Sequence, residues 1–393
     1  MFDTLVRVDE SGRIQPGLAT SWQSDDSHRR WTLALRDGVT FADGTLLIAE
    51  LVAASLRTSN PGWKISVTGD SVALQFADPE WKLPAKLALS SNAIVKRSNN
   101  TVSGTGPYKI VEWQPAKKLL LAAREDYWGG RSYIDSIQIE LGTSAGDRSM
   151  SIELGKSDIA EKASEAGQPS GSKGASLLSS APVELLAVVL RRDAVSVNDA
   201  KLMDVLGLSI DRDSIKDVLL RRQGEVATGM LPQWISGYEF LFPVTFDLQR
   251  AGQLRREVKE SVSWSLGYDA ADPLNRLIAE RIALNAKDAG ISLRPSPSGE
   301  AELRLVRVCA QSVEPIVALE AMSKEIGLAS LGVSDASIAA AYKAELALLQ
   351  SHRVIPLIHK PFIYGVGPAI MNWHAQLDGT WDGSNLWLKP GTP

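Results

Sequence analysis

Residues 262–294, VSWSLGYDAADPLNRLIAERIALNAKDAGISLR, decide the fold of the second half of the chain. The stretch opens with apolar residues at every second position, which is typical of a half-buried strand. Asp272 and Pro273 then stand at the N-cap and first position of a predicted helix, and Gly290 stands at its end. A second short run of alternating apolar residues follows the glycine. The order strand, helix, strand predicts a βαβ crossover.

The predicted helix has its apolar residues on one face, so it should pack on a parallel sheet. Residues 303–308 are the predicted next strand of that sheet. Ligands favour the carboxyl ends of such strands. Tyr268, at the end of the first strand, and the segment after Val308 are therefore candidate ligand contacts.

The rest of the chain divides into a strand-rich first half and an α/β second half. Residues 31–158 contain short strands in which apolar residues alternate with polar ones. Residues 167–176, GQPSGSKGAS, are rich in Gly, Ser and Pro and predict a mobile connection, with a lobe boundary just beyond it. Towards the carboxyl end, a helix that we predict to be capped by Asp335 leads into a strand at residues 354–358.

Composition limits the classes of function. The chain has 393 residues, is 44% hydrophobic and carries a net charge of -4, which suits a globular protein of two or three domains. Lysines and arginines are scattered, so we expect neither nucleic-acid nor anionic-membrane partners. Cys309 is the single cysteine, which excludes an internal disulfide. No apolar run is long enough to span a bilayer and the amino terminus has no signal pattern, so we expect any export signal to have been removed.

Three long segments carry a family resemblance. In chain order they are MFDTLVRVDESGRIQPGLATSW (residues 1–22), WTLALRDGVTFADGTLLIAELVAAS (31–55) and GTGPYKIVEWQPAKKLLLAAREDYWGG (104–130). They resemble successive segments of the bacterial extracellular solute-binding proteins of family 5, the peptide and nickel type. Looser matches follow at LSIDRDSI (208–215), in the βαβ unit and at RVIPL (353–357).

The resemblance implies an α/β protein with the two-lobed periplasmic-binding-protein fold, class II-like, with mixed sheets, helices on both faces and a ligand cleft between the lobes. Lobe I would comprise residues 1–182, trimmed relative to the family, and lobe II residues 183–359. Residues 360–393 would return to lobe I. The implied function is that of the substrate-binding subunit of an ABC importer, which captures a solute and delivers it to a membrane permease. We expect a monomer without cofactor, metal or catalytic residues, located in the periplasm or outside the cell, free or lipid-anchored.

One position of the resemblance bears on the class of ligand. Peptide-binding members hold the ligand as an added strand and pair its amino terminus with an Asp of lobe II. The matching stretch, VCAQSVEP at residues 308–315, places Gln311 where that Asp stands and Ser312 where an aromatic residue stands. A neutral amide cannot neutralise a buried ammonium group. We therefore expect a peptide-like or opine-like solute, a sugar or a metal chelate in place of an ordinary di- or oligopeptide.

Further candidate contacts come from family positions and strand ends. Tyr268 follows a strand of the parallel sheet, and Tyr364 and Trp373 lie in the returning segment, where aromatic rings can stack on a ligand. Arg191 follows the apolar strand that should cross between the lobes, and it can bind a ligand carboxylate through two hydrogen bonds. The alternative is that one of the two adjacent arginines is solvated and the other pairs with Asp193.

Two other classes of function stay open. Residues 142–146, GTSAG, form a G-x-S-x-G string after a predicted strand, which is the context of a nucleophile elbow and makes Ser144 the candidate nucleophile of a serine hydrolase. Histidines downstream could complete a triad. The second alternative is a family member that has lost transport and acts as a sensor or interaction module. No spacing of His, Cys, Asp or Glu predicts a metal site.

Overall fold

The computed structural model describes residues 1–98, 101–162, 174–192, 194–243, 246–260, 262–297, 299–329, 331–333 and 335–390. The chain forms two lobes, each with its own sheets and hydrophobic core. Most of the connection predicted at residues 167–176 lies outside the described residues. Among the described helices, none combines the length and the apolar composition that a bilayer span requires.

Lobe I consists mainly of short strands. They are β1 (Val6–Val8), β2 (Ile14–Pro16), β3 (Ala19–Ser24), β4 (Arg30–Leu35), β5 (Lys64–Thr68), β6 (Ser71–Gln75), β7 (Lys96–Ser98), β8 (Thr101–Ser103), β9 (Tyr108–Gln114), β10 (Lys118–Ala123), β11 (Ser136–Glu140), β12 (Ile159–Lys162) and β13 (Ser176–Ser179). Its helices are α1 (Ala49–Ser59), α2 (Leu83–Leu87) and α3 (Ala145–Glu153), with a single helical turn at Ser90–Asn92.

The core of lobe I follows from the alternation seen in the sequence. Strands β3, β4, β6 and β5 form an antiparallel sheet in that order. Leu33 of β4 and Leu74 of β6 point into the core, where Phe41 is fully buried. Each such side chain contributes about 1.5–3 kcal/mol when it is removed from water.

Lobe II combines a single sheet with most of the helices. Its strands are β14 (Glu184–Leu190), β15 (Glu225–Val226), β16 (Ser263–Gly267), β17 (Ser292–Ser296), β18 (Leu303–Cys309) and β19 (Val354–Lys360). Its helices are α4 (Val197–Ser209), α5 (Arg212–Ser214), α6 (Gln233–Ser236), α7 (Leu248–Glu257), α8 (Pro273–Asp288), α9 (Pro315–Ile326) and α10 (Ile338–Gln350), with helical turns at Ile215–Leu219 and Glu239–Leu241. The returning tail carries β20 (Ile363–Val366), β21 (Ile370–Met371) and β22 (Trp387–Leu388).

The sheet of lobe II is mixed and has the strand order β15-β19-β14-β18-β16-β17. Every residue of the central strand β14 is buried. Leu186 and Val188 enter a core shared with α4 and α8, whereas Leu185 and Ala187 enter a second core shared with α9. Helices therefore cover both faces of the sheet, and the predicted two-lobed α/β fold is confirmed.

Strand β16, helix α8 and strand β17 form the predicted βαβ crossover. Asp272 caps α8, because its Oδ1 accepts a hydrogen bond from Leu274 N at 3.0 Å. Gly290 follows the helix with φ +79, a backbone conformation that favours glycine. Strand β16 is parallel to both β17 and β18. The local signals of residues 262–294 were sufficient to predict this unit.

Helix α10 begins two residues later than a cap at Asp335 would place it. Its N-cap is Ser337, whose Oγ accepts from Ala340 N at 3.1 Å. Asp335 Oδ1 instead accepts from Ser337 N at 2.8 Å. The prediction of Asp335 as the cap is wrong, since the serine oxygen is the one that reaches the third residue of the helix.

The chain passes between the lobes twice. Residues 180–183 lead from β13 in lobe I to β14 in lobe II, and residues 361–362 lead from β19 back to β20. Strand β20 pairs with β12 and β13 in lobe I, and β19 pairs with β14 in lobe II. The two crossing segments lie side by side, because Ser180 N donates to Phe362 O at 3.0 Å.

Candidate functional site

The loop after β18 lies at the junction of the lobes, beside a crossing segment. Gln311 and Ser312 are both half-buried in this loop. Ala310 N donates to Val183 O at 2.9 Å, and Ser312 Oγ accepts from Glu314 N at 3.1 Å. Hydrogen bonds on either side of Gln311 thus fix the loop to the crossing segment and to the start of α9.

A series of ion pairs lies at the same end of the strands of the lobe II sheet. Glu184, the first residue of β14, is only 4% exposed. Its Oε1 lies 3.1 Å from Arg307 Nε, and its Oε2 lies 2.6 Å from Lys360 Nζ. Arg307 Nη1 also lies 2.7 Å from Asp272 Oδ2. A buried carboxylate is costly without a cation, so Glu184 is stabilised by its two partners.

Electrostatics connect this cluster to lobe I. Burial alone would lower the pKa of Arg307, but Glu184 and Asp272 outweigh burial and raise it, with a smaller contribution from Glu161 of β12. Burial raises the pKa of the Cys309 thiol to about 12, and Glu184 acts in the same direction. This end of the strands therefore carries two cations, two carboxylates and a neutral thiol.

Two of the three predicted aromatic contacts, Tyr364 and Trp373, are buried in lobe I. Tyr364 and Trp373 are 7% and 9% exposed, and their ring centroids lie 5.0 Å apart in a small core of lobe I. Tyr364 Oη donates to Gly379 O at 2.9 Å. Burial raises the pKa of Tyr364 to about 12, with smaller contributions in the same direction from Glu161 and Asp378 and then from Cys309 and Glu184. The two rings thus support the junction and have little exposed surface of their own.

Tyr268 and Gln311 follow neighbouring strands of one sheet, but Tyr268 lies level with the first part of β18 and Gln311 lies beyond its end. Tyr268 follows β16, is half-buried and packs against the core of lobe II. Gly267 is paired with Arg304, near the start of β18, whereas Gln311 lies beyond the end of that strand. The register therefore separates Tyr268 from Gln311 by several residues of strand.

Arg191 lies at the opposite end of the strands from Gln311. It follows Leu190, which is paired with Leu303 at the start of β18. The Arg191 side chain is exposed, and its Nη1 donates to Gly299 O. The structure does not bring Arg191 together with Gln311.

The arginine next to Arg191 pairs with helix α4. Arg192 Nη1 lies 2.6 Å from Asp199 Oδ1 in helix α4. Asp193, the predicted partner, lies outside the described residues. This pair belongs to the cap of α4, where Asp199 also accepts from Ser196.

A polar cavity of about 680 Å³ lies between the β1–β2 hairpin and the returning tail. Charges of both signs and amides line it, including Arg7, Asp9, Arg13, His374, Gln376 and Asn385. At the turn of the same hairpin, a Cβ on Gly12 would lie 3.4 Å from Val313 Cγ2. The hairpin beside the cavity thus touches the loop that contains Gln311, which places the cavity next to the lobe junction.

Ser144 serves as a helix cap. Its Oγ accepts from Asp147 N at 3.1 Å, and it donates to Asp147 Oδ2 at 2.6 Å. All four histidines lie in the described residues and have other polar neighbours, namely Ser24 for His28, Asp204 for His352, Glu239 for His359 and Glu10 for His374. The histidine that the hydrolase hypothesis requires is therefore not beside Ser144.

The described residues also contain no group of three or more His, Cys, Asp or Glu side chains that could hold a metal ion. The acidic side chains near the junction are engaged with cations: Glu184 with Arg307 and Lys360, and Glu314 with Lys82.

The charged cluster around Glu184 was missed in the sequence. A signal was present, because Glu184 begins a strand that is otherwise apolar, and His359 and Lys360 end a strand that is apolar up to that point. Arg307 likewise interrupts the alternation of β18. Only strand register shows which of these charges meet.

Comparison with known proteins assigns the family. A profile of the bacterial extracellular solute-binding proteins, family 5 Middle, matches residues 13–314. The probable D,D-dipeptide-binding periplasmic protein DdpA of Escherichia coli (strain K12) is 24% identical over 257 residues, which is 58% of this chain and 49% of that protein. The nickel-binding protein NikA of Staphylococcus aureus is 27% identical over 173 residues, 40% of this chain and 35% of the relative. The chain thus spans half or less of the length of these two relatives.

Solved structures show the same fold. NikA from Staphylococcus aureus in complex with Ni(L-His)2 superposes with a TM-score of 0.82 at 15% identity, covering 99% of this chain and 94% of that one. DppA from Helicobacter pylori in complex with the peptide STSA gives a TM-score of 0.84 at 17% identity, covering 99% and 92%. These likenesses show the fold, and the profile match over most of its length shows that the chain belongs to the bacterial extracellular solute-binding proteins of family 5.

Proposed function

We propose that this protein is the substrate-binding subunit of an ABC importer, which captures a solute between its lobes and delivers it to a membrane permease. The observation that carries the proposal is the pair of crossing segments, 180–183 and 361–362, beside the Gln311 loop. Two paired connections allow the lobes to rotate about them and enclose a ligand. Relatives named for binding a D,D-dipeptide and nickel support a small solute as cargo.

The ligand we propose lacks the free primary ammonium group of a peptide amino terminus. Gln311 offers one acceptor and one NH2 group, and neither neutralises a cation. Glu184 and Glu314, the carboxylates that adjoin this loop, are already paired with Arg307, Lys360 and Lys82. These features favour a blocked or peptide-like solute, an opine-like conjugate, a sugar or a complete metal chelate over an ordinary peptide.

Gln311 and Ser312 are the ligand contacts that the geometry supports best, because they lie at the junction and are partly accessible. Tyr268 is proposed as a contact farther along the same sheet. Tyr364 and Trp373 are proposed to support the junction through the core of lobe I. Arg191 would contact only a ligand that reaches the other end of the strands. We further propose that lobe I comprises residues 1–182 with 360–393, that lobe II comprises 183–359, and that the protein acts as a monomer in the periplasm or outside the cell, free or lipid-anchored.

Thermal unfolding against a panel of solutes from these classes tests the proposal. The purified protein is melted with L-Ala-L-Ala, N-acetyl-L-Ala-L-Ala, octopine, maltose or Ni(L-His)2, since a solute that binds only the folded state raises the midpoint. We expect at least one of the last four to raise it by a few degrees. Gln311→Ala should abolish the rise, whereas Ser144→Ala should leave it intact.

Two results would overturn the proposal. A rise in midpoint that persists in Gln311→Ala would show that the ligand binds elsewhere. Turnover of a p-nitrophenyl ester that is lost in Ser144→Ala would show a hydrolase. For the probe that raises the midpoint, small-angle X-ray scattering in 1 M NaCl should show a smaller radius of gyration at saturation than without ligand, because the lobes close on the ligand.

A further inference from the structure

Two ion pairs join the lobes beside the Gln311 loop. Lys82 Nζ lies 2.8 Å from Glu314 Oε2, and Lys86 Nζ lies 2.6 Å from Glu320 Oε2. Both lysines belong to lobe I and both glutamates to lobe II. These side chains are between 18% and 33% exposed, so the pairs are less screened by water and salt than fully exposed pairs.

The lysines are held firmly by lobe I. Lys82 is the N-cap residue of α2 and Lys86 lies inside that helix, which is anchored in the core of lobe I by Leu83 and Leu87. Lys86 Nζ also lies 2.6 Å from Glu80. Burial alone would lower the pKa of Lys86, but Glu320 and Glu80 outweigh burial and raise it. Lys86 is thus a stable cation with one carboxylate from each lobe.

The glutamates lie at the start of α9, directly after the Gln311 loop. Glu314 is the N-cap residue of this helix, and its backbone N–H donates to Ser312 Oγ at 3.1 Å. Glu320 lies within the helix, which packs into the core of lobe II through Leu319 and Met322. Movement of the Gln311 loop therefore moves the carboxylates that face lobe I.

We propose that these two ion pairs form a latch that keeps the lobes together in the absence of ligand, so that closure weakens with salt and is coupled to the Gln311 loop. Opening the lobes separates charges that lie within 3 Å of each other and returns them to water. The latch goes beyond the proposed transport function, because it does not depend on which solute is bound.

Single-molecule FRET on the unliganded protein tests the latch. Dyes are placed on Thr58→Cys of lobe I and Lys287→Cys of lobe II in a Cys309→Ser background, both label positions being exposed. At 20 mM NaCl we expect a dominant high-FRET state that loses population at 1 M NaCl, where the Debye length is about 3 Å. The double variant Glu314→Gln/Glu320→Gln should lower the ratio of closed to open molecules by roughly threefold to tenfold at low salt and should respond little to added salt.

The matched control removes two ion pairs that do not cross between the lobes. Glu257→Gln/Glu280→Gln breaks the pairs with Lys201 and Arg276, which lie within lobe II, and it should leave the FRET distribution unchanged. A charge exchange, Lys82→Glu/Glu314→Lys, should restore closure relative to Glu314→Gln alone. The latch is refuted if the wild-type protein is already open at 20 mM NaCl, or if the Glu314/Glu320 variant and the control behave alike.

Discussion

Ser180 and Phe362 are joined by two hydrogen bonds where the chain crosses between the lobes. Ser180 N donates to Phe362 O at 3.0 Å, and Phe362 N donates to Ser180 Oγ at 2.9 Å. The serine side chain thus replaces a backbone carbonyl at this point of the ladder. Rotation of the lobes has to take place about this paired crossing.

Ser180→Ala removes the acceptor of Phe362 N and leaves that half-buried donor without its partner. We expect the free energy of unfolding to fall by about 1 kcal/mol and the distribution of interlobe FRET distances to broaden. Urea unfolding and the FRET pair described above measure the two effects. Ser27→Ala, which removes an exposed hydroxyl bonded to Asp25, is the control. Equal behaviour of the two variants would mean that this bond has no role at the hinge.

Ser144→Ala separates the capping role from the nucleophile hypothesis. The change removes the side-chain oxygen that accepts from Asp147 N at the start of α3. We expect a loss of about 0.5–1 kcal/mol in the free energy of unfolding, which Ser144→Asp, another good N-cap, should largely recover. Binding of any solute at the junction should be unaffected. A loss of binding in Ser144→Ala with normal stability would contradict the capping role.

The buried carboxyl of Glu345 should make the free energy of unfolding depend on pH in an unusual way. Its carboxylate is fully buried and accepts from Met230 N at 2.6 Å, Leu231 N at 3.1 Å and Tyr238 Oη at 2.8 Å. Burial, with a smaller contribution from Glu239, raises the pKa of Glu345 to about 7. A carboxyl whose pKa is higher in the folded state binds protons more tightly there, so its contribution to stability is full below the unfolded pKa and declines as pH rises to about 7.

Glu345→Gln keeps this position neutral at every pH. Relative to the variant, the free energy of unfolding of the wild-type protein should decline by up to about 3 kcal/mol between pH 5 and pH 8. Urea titrations of both proteins at half-unit pH steps measure the difference, and the comparison cancels the contributions of other titrating groups. Parallel pH profiles would show that Glu345 titrates normally.

The βαβ unit could be predicted because its signals are local. Asp272, Pro273 and Gly290 mark the ends of α8 within one stretch of sequence, and the alternation of its strands is undisturbed. The segment after Val308 was predicted from the end of β18, whereas its contact with the crossing segment, Ala310 N to Val183 O, is seen only in the structure. Asp335 was mistaken for a cap because a serine with the same chemistry stands two residues later.

The rest of the site depends on register and on lobe placement, which sequence patterns do not contain. Glu184 meets Arg307 and Lys360 only because β14 pairs with β18 on one side and β19 on the other. The same register places Arg191 at the other end of these strands. Trp373 was expected near the cleft, but its packing against Tyr364 in a core could not be distinguished from exposure by residue type.

Isothermal titration of the wild-type protein and Gln311→Asp with L-Ala-L-Ala and N-acetyl-L-Ala-L-Ala tests the central claim most directly. A carboxylate at position 311 can pair with the free amino terminus, whereas the native amide cannot. We predict that the wild-type protein does not favour the free dipeptide, and that Gln311→Asp gains affinity for the free dipeptide over the acetylated one by about tenfold or more. A wild-type protein that prefers the free dipeptide, or a variant that gains nothing, would contradict the assignment of the ligand site to the Gln311 loop.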